Sequence, residues 1–199
     1  MRKTVFIVSH IGSGYDVLLS TLLKNPRIIQ IPNICRNFYK NLLDIINASA
    51  EFKFHNQATN FIDCNLFNHM FAAHDAFNLC SFIFLINEPK QSLQEIMKYK
   101  KESSLLSCQR HYLYRLRRIC EIAKRTPQAV FLTNKDLYKP ETYNLLENHL
   151  NLRENLEIPT PKADYLSIDS LPQDVLDATE SAYEKYFYFL KQQNLKFVN

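Results

Sequence analysis

Residues 3–24 read KTVFIVSHIGSGYDVLLSTLLK, and the reading of this stretch decides the fold class. Its front, KTVFIVS (3–9), is a short apolar run rich in β-branched residues, the composition of a buried strand. Further on, Val17, Leu18, Thr21 and Leu22 recur at helical spacing, and Pro26 ends the helix. Between the two stand Gly12 and Gly14, the only 2 glycines among 199 residues. Ordinary usage would supply roughly fourteen. Every other turn uses Asn, Asp, Ser or Pro, so glycine has been kept where something requires it. The requirement is φ > 0 or the close approach of another group to the main chain. Two readings follow: a tight strand-to-helix turn with no ligand, or a loop whose N–H groups at a helix N-terminus wrap an anion.

The rest of the chain continues the alternation. RIIQI (27–31), NFIDC (60–64), SFIFLI (81–86) and AVFLT (129–133) read as strands. Helical periodicity marks 36–48, 66–77, 90–103, 108–125, 140–150 and 171–193, while the polar, Pro-bearing stretch 151–170 reads as a loop or arm. Strands alternating with helices predict an α/β fold, three layers with a mainly parallel sheet flanked by helices. The length predicts one domain over 1–199, with 171–199 a C-terminal amphipathic helix. In such sheets ligands bind beyond the carboxyl ends of the strands, which is where the glycine loop lies.

Composition narrows the classes. With 46% hydrophobic residues the chain can pack a core. No run of eighteen apolar residues exists, so no membrane span is expected, and the short run VFIV does not make a signal peptide. A cytoplasmic location follows as an expectation. The 5 cysteines are then taken as reduced; they are odd in number and contain no C-x-x-C pair, so no metal is expected. Residues 90–125 carry ten Lys/Arg against Glu95, Glu102 and Glu121, a local excess that suits an anionic ligand or a solvated helix face. No recognition motif for nucleic acid accompanies it. The glycine loop lacks the Gly-Lys-[Ser/Thr] ending of a nucleotide-hydrolysing loop.

Three stretches, VFIVSHIGSGYDVLLSTLL, FIFLINEPKQSLQEIMKY and YLYRLRRICEIAKRTPQAVFLTNKDL, together resemble the sulfotransferases that use 3′-phosphoadenosine-5′-phosphosulfate (PAPS). The resemblance covers 3–24 and 81–150 and implies a P-loop-like fold. It also implies PAPS or its product PAP as cofactor and sulfuryl transfer to a hydroxyl of a carbohydrate or small metabolite. By position it assigns His10, Ile11, Gly12, Ser13, Gly14, Tyr15 and Asp16 to the phosphosulfate loop. Asn87 and Glu95 fall in the segment that holds the 3′-phosphate. His69 is its candidate general base, with His74 and Asp63 as further candidates. The departures are specific. Gly12 stands where the family carries Lys or Arg, Tyr15 and Asp16 replace two hydroxyl residues, Asn87 replaces Arg, and Glu95 replaces Ser. An alternative stays open: a sulfotransferase-like scaffold that binds without catalysis, with Tyr183, Tyr186, Phe187, Tyr188 and Phe189 as a contact surface.

Overall fold

The structure is a computed structural model. It describes residues 3–30, 60–64 (as backbone), 78–101, 103–126, 129–152, 155–160, 171–193 and 195–198. In chain order the elements are β1 (Lys3–Ser9), α1 (Tyr15–Leu23), β2 (Ile28–Gln30), β3 (Asn60–Cys64), β4 (Cys80–Ile86), α2 (Pro89–Tyr99) and α3 (Leu105–Ala123). They continue with β5 (Ala129–Thr133), a 3₁₀ helix (Asn134–Tyr138), α4 (Pro140–Leu150), α5 (Gln173–Lys191) and β6 (Lys196–Phe197). The helices expected at 36–48 and 66–77 lie outside the described residues.

The six strands form one sheet in the order β2-β3-β1-β4-β5-β6, and every neighbouring pair is parallel. Parallel strands must be joined by crossovers, and their helices cover both faces. That is why β1, β4 and β5 read as continuous apolar runs. Alternate residues serve opposite faces. Val5, Ile7, Ile83, Leu85, Val130 and Leu132 pack with α1 and α4 through Leu18, Leu22, Tyr143 and Leu146. Phe6, Val8, Phe82, Phe84 and Phe131 pack with α2, α3 and α5 through Leu93, Ile96, Leu116, Ile119 and Leu190. The expected three-layer α/β architecture is therefore present.

Local signals account for the helix ends. Pro89 begins α2 and Pro140 begins α4, at first-turn positions that need no N–H. Ser104 caps α3 by accepting from the Ser107 N–H at 3.3 Å. This cap separates α3 from α2, which ends at Tyr99, shorter than the helical pattern read over 90–103. Asn151 closes α4 in the left-handed conformation, φ 55°. On α5, Tyr183, Tyr186, Phe187 and Phe189 are partly buried against the core, while Tyr188 is exposed. Most of the aromatic cluster is thus packing and not contact surface.

One consequence of the order positions the site. β1 and β4 are adjacent, yet α1 leaves β1 for one face and α2 leaves β4 for the other. The loops after these two strands diverge at the carboxyl edge, the arrangement that opens a crevice in doubly wound sheets.

Candidate functional site

The loop His10–Gly14 leaves β1 and enters α1. Both glycines are left-handed, Gly12 at φ 80° and Gly14 at φ 87°. Each also lies against another element. A Cβ on Gly12 would stand 2.9 Å from the Glu95 Cβ, and one on Gly14 would stand 2.3 Å from the Asn134 Nδ2. The glycines are therefore required twice, by backbone conformation and by close approach. The approaching groups are the protein's own α2 and 3₁₀ helix. A turn is closed by the Ser13 N–H donating to the His10 carbonyl at 3.2 Å. The N–H groups of Gly12 and Gly14 have no acceptor among the described residues. The Ser13 hydroxyl is buried without a hydrogen-bond partner among the described residues.

The sequence candidates come together here, although with altered roles. His10 is buried. Its Nδ1–H donates to the Ile11 carbonyl at 2.8 Å, which leaves Nε2 to accept from the Asn87 N–H at 3.0 Å. Burial above all, with Arg115 and His111 nearby, pushes its pKa down to about 4. His10 is thus a neutral main-chain fastener at pH 7 and supplies no cation to the loop. Its ring meets the edge of Tyr112 at 5.1 Å between centroids. Asn87 is turned inward. Its Nδ2 donates to the Gly12 carbonyl at 2.8 Å and to Gln91 Oε1 at 3.0 Å, and its Oδ1 accepts from the Glu88 N–H at 2.8 Å. Where the resemblance places a phosphate-binding arginine, this chain has an amide that ties the two diverging loops together.

Glu95 lies against Gly12 and pairs with Lys98 at 3.0 Å. Asp16 is exposed in the first turn of α1, where a carboxylate complements the positive end of the helix dipole. Ile11 and Tyr15 are partly buried against the two faces of the core. Lys90 is exposed. His69 and His74 lie outside the described residues, as does the side chain of Asp63 in β3.

Three residues that support this loop escaped the sequence reading. Tyr112 donates its hydroxyl to the Asn87 carbonyl at 2.8 Å. Arg115 is 3% exposed and donates from Nη2 to the Ser9 carbonyl at 2.7 Å. Burial draws its pKa to about 10, so it is a permanent cation beneath the loop. Asn134 donates from Nδ2 to the Ser13 carbonyl at 3.1 Å. The spacing of Tyr112 and Arg115 with Leu116 and Ile119 was the available signal, since it puts both polar residues on the buried stripe of α3. Tyr112→Phe should cost about 1–2 kcal/mol, because it leaves the buried Asn87 carbonyl without this donor. Urea unfolding of the two proteins checks this.

Among the described residues no group of three or more His, Cys, Asp or Glu is placed to hold a metal ion, and no helix is long and apolar enough to cross a membrane. No family model matches the sequence, and none of the curated proteins compared with it does so.

Proposed function

We propose that this is a sulfotransferase-like protein that seats the phosphosulfate of a PAPS-type nucleotide on the loop His10–Gly14 and passes its sulfuryl group to a hydroxyl. The observation that carries the reading is the loop itself. Two left-handed glycines lead from the central strand β1 into α1, at the divergence of β1 and β4. A turn of this kind, with free main-chain donors at the positive end of a helix, suits an anion. In the reaction the acceptor oxygen attacks sulfur, the bond from sulfur to the bridging phosphate oxygen breaks, and PAP leaves with the electron pair. The acceptor's proton passes to a base, for which His69 is the candidate.

A second reading is favoured by one feature. Asn87 spends its side chain on Gly12, Gln91 and Glu88, and so offers no charge to a 3′-phosphate. A scaffold with such a tie holds its loop shape and binds without turnover.

Calorimetric titration with PAP at low salt separates these outcomes. We expect a Kd of about 10–100 μM, or roughly −7 to −5 kcal/mol. The affinity should weaken with added salt, since exposed charges are screened beyond about 8–10 Å. Binding together with single-turnover transfer from PAPS that His69→Ala removes supports the enzyme. Binding without transfer supports the scaffold. Absence of binding at millimolar PAP rejects both.

A further inference from the structure

Two neighbouring helices carry opposite charge on their exposed faces. α3 and α5 both pack on the sheet face lined by Phe6, Phe82 and Phe84, through Tyr112, Leu116 and Ile119 on α3 and Leu190 on α5. Their exposed residues lie opposite these and look out from the same side of the molecule. On α3 the exposed stripe is Leu106, Arg110, Tyr114 and Arg117. On α5 it is Asp174, Asp177, Ser181, Glu184 and Tyr188, with Glu180 beside it.

Neither stripe is balanced within itself. Residues 173–184 hold four carboxylates, Asp174, Asp177, Glu180 and Glu184, and no Lys or Arg. None of the four forms an ion pair among the described residues. Carboxylates three and four residues apart on a helix repel one another. On α3, Arg110 likewise forms no ion pair among the described residues, and Arg117 and Arg118 share the one carboxylate of Glu121. Leu106, Tyr114 and Tyr188 are large and exposed among these charges. A surface with one basic stripe and one acidic stripe is complementary to itself. A partner of either sign alone would match one stripe and be repelled by the other.

The packing of the two helices fixes the register. Gln109 Nε2 donates to the Thr179 hydroxyl at 2.8 Å and to the Val175 carbonyl at 3.3 Å. Cys120 Sγ lies 3.8 Å from the Tyr186 carbonyl, and Lys124 Nζ sits 5.0 Å from the centre of the Phe189 ring. Residue numbers rise together along both helices, so they run parallel. Arg110 is therefore level with Asp177, and Arg117 with Glu184. The two arginines are separated by the same two helical turns as the two carboxylates.

We propose that the exposed α3–α5 face is the contact surface of a symmetric dimer, in which α3 of each copy lies along α5 of the other. A two-fold axis parallel to the helices brings α3 onto α5 and keeps every residue at its own level. It sets Arg110 opposite the partner's Asp177 and Arg117 opposite the partner's Glu184, and each contact occurs twice. A two-fold axis across the helices would instead lay α3 on α3, with like charge against like charge. The patch is about 28 Å long and about 20 Å wide, at the small end of specific interfaces, so the dimer forms at micromolar concentration. It does not depend on a ligand at the glycine loop.

The test is sedimentation velocity of the full chain from about 2 to about 200 μM at low salt. We expect a monomer–dimer equilibrium that weakens with added salt. Arg110→Glu and Asp177→Arg, each alone, set like charges opposite each other and should weaken self-association at least about tenfold. Mixed in equal amounts, the two variants meet with opposite charges at both contacts, and association should return to within about threefold of the unaltered chain. Recovery of this kind cannot come from damaged folding. A chain that stays monomeric up to about 200 μM would overturn the proposal. So would single variants that associate like the unaltered chain, or a mixture that does not recover.

Discussion

Gly14→Val is expected to lower stability by about 2–6 kcal/mol, a fall of roughly 4–24 °C in Tm for a chain of this length. Two costs combine. At φ 87° a β-branched residue occupies a region open in practice only to glycine, at about 1–3 kcal/mol. The new Cβ also stands 2.3 Å from Asn134 Nδ2 and 2.7 Å from Leu137 Cδ1. Relief requires the Asn134 side chain to move, which breaks its bond to the Ser13 carbonyl. Overpacking of this kind adds about 1–3 kcal/mol. Thermal unfolding measures the sum. A loss below about 1 kcal/mol would mean that the loop accepts a side chain here, and the case for its fixed shape would fail.

Acid should destabilise the protein well before its carboxylates titrate. The His10 pKa is about 4 in the folded chain and near 6.5 when exposed. Below pH 6.5 the unfolded chain takes up a proton that the folded chain refuses, so stability falls as pH falls. The loss accumulates down to about pH 4 and then stops, at about 3 kcal/mol in total. Protonation forces this outcome structurally, because Nε2 can no longer accept from the Asn87 N–H. The depressed pKa of His111 acts in the same direction. Denaturant unfolding from pH 7 to pH 4 should therefore show a slope approaching about 1.4 kcal/mol per pH unit from His10 alone. His10→Gln should lose that part of the slope. An equal slope in both proteins would show that His10 is not held neutral.

Much of this architecture was legible because the sheet is parallel. Strands buried on both faces have no polar alternation to confuse the reading, so KTVFIVS and AVFLT gave their boundaries directly. β6 was missed because Lys196–Phe197 has too few residues to carry a pattern. The break between α2 and α3 was legible, since 90–103 and 108–125 read as separate helices; only its bounds moved, because Ser104 caps α3 ahead of Leu105. The site was legible in outline, since strand ends gather at one edge and bring Gly12, Asn87 and Glu95 together. Its internal wiring was not. Arg115 belongs to a run of arginines that reads as a solvated face, and nothing local says that it alone reaches Ser9 on a strand far away in sequence. Nor does the sequence reveal that Asn87 turns inward, because that depends on Gly12 and Gln91 meeting it from different elements.

The position of β1 in the sheet also bears on how the chain reaches its fold. β1 lies between β3 and β4, so both of its partners follow it by dozens of residues. At ribosomal speeds of about 5–20 residues per second, β3, the first partner to appear, emerges roughly 3–11 s after β1. Through that interval Val5–Val8 is an apolar segment of high β-propensity with neither edge paired, the kind of segment that seeds aggregation. Arg2 and Lys3 stand just before it, with Thr4 between, and His10 soon after. In the emerging chain His10 is not yet buried, and its pKa near 6.5 lets it share in the positive charge that keeps such segments apart. The same histidine that the finished fold holds neutral thus belongs, during synthesis, to the charged flanks of an unpaired strand.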